Sequence, residues 1–441
     1  MKVLLLAAGR SQRVKPIADK NFLRFCGKYL IHHQVEALNK AGFNDIILIG
    51  GAHNLKQLKT FAKDFQSHHK DCTIKVVEQK DLDAGMAGAV LSTKKQVKKD
   101  EPILIVSSND VVEQEAYKLI FDAAQNEYFE SCLLGKKVTE YFPGGYLEVD
   151  SQWQIKSIIE KPGKGKEPSD LVNLVLHLHK DSQRLFRYLE EAQSKKDDLY
   201  EVALDKMMKS GVKMQAIPYE GYWQPIKYPW HVIEVAKHFF ELAPKHIAPS
   251  AIIGKRVTIS GEVFIEEGAK VFDGATIIGP AYIGRNSVVA TNALVRDSYV
   301  GEECVIGFAS EVARSFVGDH VWTHSNYIGD SIIGSNVSFG AGSVTGNLRF
   351  DEANVNVNIK DEKMDSGTPK LGLITGDNIR VGVNTSFMPG IKIGSDCLIG
   401  AGLVINQDIP NKSFARGQIN LEISPNKMEK LPSRENLKKK L

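Results

Sequence analysis

The sequence predicts two domains of unlike architecture. The first is an α/β domain with a Rossmann-like mixed sheet, and the second is a parallel β-helix of hexapeptide repeats. Three observations predict this. Ile253, Ile259, Ile265, Val271, Ile277, Ile283, Val289 and Val295 stand six residues apart without a gap, a spacing that neither a helix nor an amphipathic strand produces. It fits a coil of three short parallel faces, each sending one aliphatic side chain inward. Small or turn-forming residues often follow the inward position, as in Ile253-Gly254, Ile278-Gly279, Ile283-Gly284, Val300-Gly301 and Ile306-Gly307. Finally, the first 230 residues alternate apolar strand runs with helical stretches, the mark of a sheet covered by helices.

Taken in order, Lys2 to Leu6 is a buried first strand. Tyr29 to Ala41 is a helix with Leu30, Ile31, Val35 and Leu38 on one stripe and Gly42 as its stop. Asp45 to Ile49, Thr73 to Val77 and Pro102 to Val106 are further strands, and ligands are expected beyond the carboxyl ends of such strands. Tyr228 to Ala243 reads as a linking helix, with Pro244 and Pro249 bracketing the boundary before the repeats begin near Ile252. The phase slips after Val295, returns at Ile333-Gly334 and Phe339-Gly340, and resumes at Val381, Phe387, Ile393, Ile399 and Ile405. An interruption is expected over Thr323 to Lys370. After Pro410 the pattern stops, and Arg434 to Leu441 is a basic tail of solvated charge. The expected division is 1–230, a linker over 231–250, repeats over 251–415, and a tail over 416–441.

Composition narrows the class. At 441 residues, 43% hydrophobic and 25% charged, with a formal net charge of +3, the chain reads as an ordinary soluble protein without the charge signature of nucleic-acid binding. Cys26, Cys72, Cys132, Cys304 and Cys397 are scattered and lack metal-ligand spacing, which reads as reduced thiols in a cytoplasmic protein. The opening apolar run, Val3 to Ala8, is followed by Arg10 and Arg13 and reads as a strand, not a leader. No stretch reaches membrane-spanning length.

The first strand runs into Leu6-Ala7-Ala8-Gly9-Arg10-Ser11-Gln12-Arg13, with Lys20 seven residues on. The small residues let backbone N–H groups approach a nucleotide, and Arg13 and Lys20 offer cations to a triphosphate. Leu-Ala-Ala-Gly-x-x-x-Arg, then Lys20-x6-Gly27-Lys28, resembles the signature of the sugar-1-phosphate nucleotidylyltransferases. The resemblance implies that Gln79 with Gly85 and Met86 reads a pyrimidine base and that Asp110 binds magnesium. It likewise implies that Gly145, Glu160 and Asn173 contact the sugar. Arg13 and Lys20 would then be catalytic, and a nucleoside triphosphate and a sugar 1-phosphate the substrates. One departure stands out. Many relatives close this domain with Trp-x-Asp-x-Gly-x-Pro-Trp, whose aspartate is a second metal ligand. Here the stretch reads Trp223-Gln224-Pro225-Ile226-Lys227-Tyr228-Pro229-Trp230.

The repeats resemble, around His324 to Asp330, Gly342 to Asp351 and Gly376 to Gly390, the left-handed β-helical acetyltransferase half of archaeal-type bifunctional enzymes that make uridine diphosphate N-acetylglucosamine. The resemblance implies acetyl-CoA as co-substrate, a homotrimer, and His324 and Asn347 as catalytic base and oxyanion donor. Tyr327 would then place the sugar phosphate, and Ala401 and Arg416 would approach acetyl-CoA. Relatives carry lysines where this chain has Ala353 and Asn356, with Lys360 retained. Two further readings stand beside the bifunctional one. In the first, only the nucleotidylyltransferase is active and the β-helix is structural. In the second, the chain is a non-catalytic nucleotide-sugar-binding protein.

Overall fold

The computed structural model describes residues 1–194, 198–243, 245–418, 422–425, 427 and 434–439. Pro244, expected at the domain boundary, lies outside them, as does part of the basic tail, of which Arg434, Lys438 and Lys439 are exposed.

The strands of the first domain's main sheet are β1 (Lys2–Leu6), β2 (Asp45–Gly50), β3 (Thr73–Glu78), β4 (Ile103–Ser107), β5 (Ser131–Lys137), β6 (Gly145–Val149), β7 (Ile155–Glu160), β8 (Leu171–His179) and β9 (Met214–Pro218). Their order is β7-β6-β8-β4-β1-β2-β3, with β5 also on β8 and β9 on β5. Strands β4, β1, β2 and β3 run parallel, whereas β8 is antiparallel to β4. Strands β1, β2 and β4 are apolar on both faces because helices cover both, whereas edge strand β3 leaves Thr73 and Lys75 exposed. On one side α1 (Leu30–Lys40), α2 (Leu55–His68) and α4 (Gln114–Ala123) bury Ile31, Val35, Leu58, Phe65 and Tyr117. On the other, α3 (Gly85–Leu91), α5 (Ser182–Glu191) and α6 (Leu199–Lys209) bury Val90, Leu185, Phe186 and Leu204. The helix expected over Tyr29 to Ala41 is Leu30–Lys40, and its Leu30, Ile31, Val35 and Leu38 are all fully buried.

The second domain is a left-handed parallel β-helix whose first strand, His246–Ile247, pairs with Val263–Ile265. The inward residues Ile265, Val271, Ile277, Ile283, Val289 and Val295 are fully buried, whereas Ile253 on the first coil is partly open. The phase slip has a simple cause. Stacked residues are eighteen apart at Val263↔Ala281, seventeen at Tyr282↔Tyr299 and sixteen at Phe316↔Ile332, so the coils tighten and the six-residue rule breaks. The interruption is shorter than expected. Val337–Phe339 and Val344–Thr345 remain in the ladders, and the chain leaves only after Thr345, through the hairpin Asn356–Ile359/Glu362–Asp365, to return at Ile374.

One face of the prism is covered. Phe264, Tyr282, Tyr299 and Phe316 stack outward along it with ring centroids 5.6, 4.8 and 4.9 Å apart. Phe25 of the first domain packs on Phe316 at 5.6 Å and on Phe239 of α7 (His231–Leu242) at 5.2 Å. Arg24 adds an ion pair to Glu302 at 2.7 Å. This junction buries Val232, Val235, Phe240 and Ile332, so the linking helix is wedged between the domains and apolar burial fixes their relative placement. All five cysteines are free thiols. No described helix is long and apolar enough to cross a membrane.

Candidate active sites

At the carboxyl ends of β1 and β4 lies a cleft of about 380 Å³. It is lined by Leu6, Ala8, Gly9, Arg13, Gln79, Gly85, Met86, Asp110, Gly145, Glu160 and Asn173, so the structure gathers eleven of the expected residues around one space. Two others stand behind it. Ala7 is buried in the core, and its carbonyl accepts from Asn21 Nδ2 at 3.2 Å and Asn54 Nδ2 at 2.9 Å, which ties down the loop after β1. Lys20 does not line the cleft, and its Nζ donates to Ile226 O at 3.4 Å.

Each end of the cleft has its own chemistry. Gln79 is 4% exposed and gives both amide protons to backbone, to Asp81 O and Gly85 O at 2.8 Å each, so it shapes the loop before α3 and keeps its carbonyl oxygen for a ligand. Gly85 adopts a φ of +54°, in the left-handed region that glycine takes most easily, as it opens α3. At the other end a side chain on Gly145 would stand 3.1 Å from Glu160 Oε2 and push that carboxylate aside by a few tenths of an ångström. Asn173 is held from behind by a buried chain of bonds. Ser131 Oγ lies 2.8 Å from His179 Nδ1, His179 Nε2 2.9 Å from Tyr200 Oη, His177 Nδ1 3.0 Å from the same hydroxyl, and His177 Nε2 2.9 Å from Asn173 Oδ1. Burial holds both imidazoles neutral, with pKa values lowered to about 3. With neutral rings one assignment satisfies every link: Ser131 donates to His179, His179 to Tyr200, Tyr200 to His177, and His177 to the Asn173 carbonyl oxygen. The Asn173 amide donor is thereby left for the cleft.

Between the two ends stand the charges. Asp110 is half-buried, and the desolvation raises its carboxyl pKa against the pull of Lys227 and Lys20, which lower it. Trp223 Nε1 donates to its Oδ1 at 3.4 Å. Burial lowers Lys20 to about 8 and Lys227 to about 7, with Asp110 opposing and Arg13 reinforcing the shift in each case. A divalent magnesium ion needs a shell of oxygen donors. Here Pro225 lies directly opposite Asp110 in the ladder between Asp110–Val112 and Trp223–Pro225. The nearest further groups are the Ser107 hydroxyl, an indole N–H and two ammonium groups, so a single neutral oxygen stands beside the one carboxylate. No set of three His, Cys, Asp or Glu side chains among the described residues is placed to hold a metal. The donor set does not fit an ion held by the protein itself.

In the β-helix the expected residues divide between two edges of one face. The turns of successive coils stack through Gly342 N to Ser325 O, Asn384 N to Ala341 O, and Gly402 N to Val383 O, which puts His324 and Ala401 on one edge. Arg416 follows the last strand, Phe414–Ala415, beside Gly400 on that edge. His324 and Arg416 are exposed. Tyr327 lies on the face, and Asn347 turns off its far side after Val344–Thr345. Asn347 Nδ2 donates to Tyr327 Oη at 3.1 Å and to Asp330 Oδ2. Arg314 clamps Asp330 from the other side, Nε to Oδ1 at 2.6 Å and a terminal N–H to Oδ2 at 2.7 Å. Tyr327 and Asn347 therefore meet within one chain, whereas no hydrogen bond between described residues joins His324 to Asn347. Sequence reasoning gave no role to Arg314, Asp330, His177, His179 or Tyr200. Their only signal is tertiary proximity, which spacing does not carry.

Comparisons with known proteins agree with both halves. Residues 2–229 match the family model described as nucleotidyl transferase, and residues 372–407 that of the hexapeptide repeat of succinyl-transferase. A bifunctional sugar-1-phosphate nucleotidylyltransferase/acetyltransferase of Sulfurisphaera tokodaii is 34% identical over 424 residues, covering 94% of this chain and 99% of the relative. The bifunctional protein GlmU of Methanocaldococcus jannaschii is 31% identical, covering 94% and 97%. That of Methanococcus maripaludis strain C5 is 32% identical with the same coverage. Likeness at this level spans both domains and the linker, and on it the chain belongs to the family of bifunctional sugar-1-phosphate nucleotidylyltransferase/acetyltransferases.

Proposed function

We propose that the first domain transfers a uridylyl group from UTP to N-acetylglucosamine 1-phosphate. The sugar phosphate oxygen attacks the α-phosphorus, and pyrophosphate leaves. The observation that carries this reading is the convergence of Gln79, Arg13, Asp110, Glu160 and Asn173 on one cleft at the carboxyl ends of the parallel strands. The free Gln79 carbonyl suits the imide N–H of uracil, while Glu160 and the Asn173 amide suit sugar hydroxyls. Arg13 and Lys20 offset the charge that builds in phosphoryl transfer. The magnesium expected on Asp110 enters this reading only as the counter-ion that the nucleoside triphosphate carries in solution, and no step runs through a metal held by the protein.

The repeats over 251–415 acetylate glucosamine 1-phosphate from acetyl-CoA in this reading. The amine attacks the thioester carbonyl, His324 takes the amine proton, and the CoA thiol leaves, while Asn347 turns one of the two amide protons now held by Tyr327 and Asp330 to the oxyanion. Ala401 and Arg416 on the His324 edge lie where an extended CoA would run. The working unit is a homotrimer in the cytoplasm. One prism face is covered by the first domain, while Phe308, Trp322, Val383 and Val404 stand exposed around the His324 edge and offer apolar contact to neighbouring chains. Side-by-side association brings the His324 edge of one chain against the Tyr327 and Asn347 side of its neighbour.

The test is a matrix of nucleoside triphosphates against sugar 1-phosphates, following pyrophosphate release. UTP with N-acetylglucosamine 1-phosphate is expected to give the highest kcat/KM. Release with no pair contradicts the reading.

A further inference from the structure

Lys227 is a half-buried cation that the established reaction of this family does not call upon. Its Nζ donates to Pro143 O at 2.8 Å and sits 3.6 Å over the Phe142 ring centroid, at the lining of the nucleotidylyl cleft. The charges it feels are Asp110 and Arg13 on the phosphate side, and Glu160 and Lys161 on the sugar side, so it stands at the junction of the two substrates.

The turn that carries it is tightly held. Ile226 N donates to Asn109 O at 3.0 Å, Lys227 N donates to Pro225 O at 3.1 Å, and Ile226 O takes the Lys20 ammonium. Two ammonium groups, Lys20 and Lys227, thus share the Asp110 carboxylate, Arg13 adds like charge to both, and the further anions are Asp19 beside Lys20 and Glu160 beside Lys227, the latter already paired with Lys161 at 2.9 Å. Burying ammonium groups with too few anions is costly. Such an excess is relieved by an anionic ligand, and a phosphate has the oxygens to accept from all of them.

We infer that Lys227 is a built-in cation of the nucleotidylyl site, whose ammonium binds the phosphate oxygens where nucleotide and sugar meet. It takes the charge role that a metal fills in relatives whose strand opposite Asp110 supplies an aspartate. Proline at 225 removes the ligand and lysine at 227 replaces the ion, so the two departures from the family motif are one change. The site then binds its phosphates without a divalent ion. This rests on the nucleotidylyl reading of the cleft.

The test uses the full chain and two probes, UDP-N-acetylglucosamine and inorganic pyrophosphate, titrated calorimetrically in excess EDTA and again in magnesium. Wild type is expected to bind at least one probe in EDTA. Lys227→Met is expected to weaken that binding about 10-fold or more, the worth of a charge-assisted bond in a dry site. Lys227→Arg is expected to restore most of it. Pro225→Asp/Lys227→Gly is expected to bind only with magnesium. Circular dichroism of each variant checks the fold, and the arginine variant keeps the test open if the methionine variant unfolds. Loss of all wild-type binding in EDTA overturns the inference, as does unchanged affinity in the methionine variant, or in the arginine variant no better than in the double variant. The nucleotidylyl reading fails separately, by absence of pyrophosphate release from every substrate pair.

Discussion

Pro225 is the direct antiparallel partner of Asp110, and this pairing decides how the first site handles charge. The strand that could present a second carboxylate presents a ring with no donor atom. The polypeptide two residues later sends an ammonium group into the same space.

The free protein should carry a stability cost for this arrangement. The folded pKa of Lys227 is lowered from 10.5 to about 7 by burial. Between those values the unfolded chain binds more protons than the folded one, so this group favours folding increasingly as pH rises through that window. Lys227→Met removes the titration. Its melting temperature relative to wild type should be highest near neutral pH and fall steadily towards about pH 10. Calorimetric melts at several pH values check this, and a difference independent of pH contradicts it.

Arg13 lines the cleft and Lys20 supports it from behind. Arg13→Ala should lower kcat/KM for pyrophosphate release by about 100-fold or more, because it offsets charge that builds in the transition state. Lys20→Met should lower it similarly, with the melting temperature unchanged or higher, since a charge whose desolvation outweighs its attraction to Asp110 and Asp19 is removed. Turnover within a few-fold of wild type for both removes them from the mechanism.

Tyr200 holds two imidazoles at once. Tyr200→Phe leaves His177 and His179 without a shared partner and frees the Asn173 amide to rotate. The loss of buried bonds should cost about 1–3 kcal/mol of stability. The KM for sugar 1-phosphate should rise more than that for the nucleotide, because only the sugar end is loosened. Chemical denaturation and two-substrate kinetics separate these effects, and equal changes in both KM values argue against a positioning role.

On the β-helix, Asp330 is shared between Arg314 and Asn347. Asp330→Ala should release both and lower acetyl transfer. His324→Ala should abolish acetyl transfer, and neither change should alter pyrophosphate release, measured on the same preparation. Light scattering should show a trimer that persists in both variants. A wild-type monomer at micromolar concentration contradicts the assembly proposed for this site.

How much of this was legible in the sequence depends on how local the constraint is. The inward positions from Ile265 to Val295 obey one spacing rule because each coil there has a constant length, so they read directly. The rule fades afterwards because the coils shorten and because Thr323 and Thr345 occupy buried positions. Their hydroxyls accept the N–H groups of Gly307 and Gly329, both at 2.9 Å, and a search for aliphatic residues passes over them. The loop after β1 read equally well, since its residues are consecutive. Lys227 was visible as a departure from the motif, but its position at the sugar–phosphate junction needed Pro143 and Phe142, more than eighty residues away. The Ser131–His179–Tyr200–His177–Asn173 chain joins strands β5 and β8 to helix α6 and has no counterpart in sequence order. The sequence places a Gln79 amide towards the base, and only the loop geometry shows that its two protons are already engaged.

The measurement that tests the account most directly gives the full-length protein glucosamine 1-phosphate, acetyl-CoA and UTP together, and follows free thiol and pyrophosphate in one vessel. Two working sites predict thiol release first, then pyrophosphate approaching the same amount, with UDP-N-acetylglucosamine as the product by mass spectrometry. His324→Ala should stop both releases, and N-acetylglucosamine 1-phosphate should restore the pyrophosphate alone. Pyrophosphate release without thiol release, or neither from wild type, contradicts the bifunctional account.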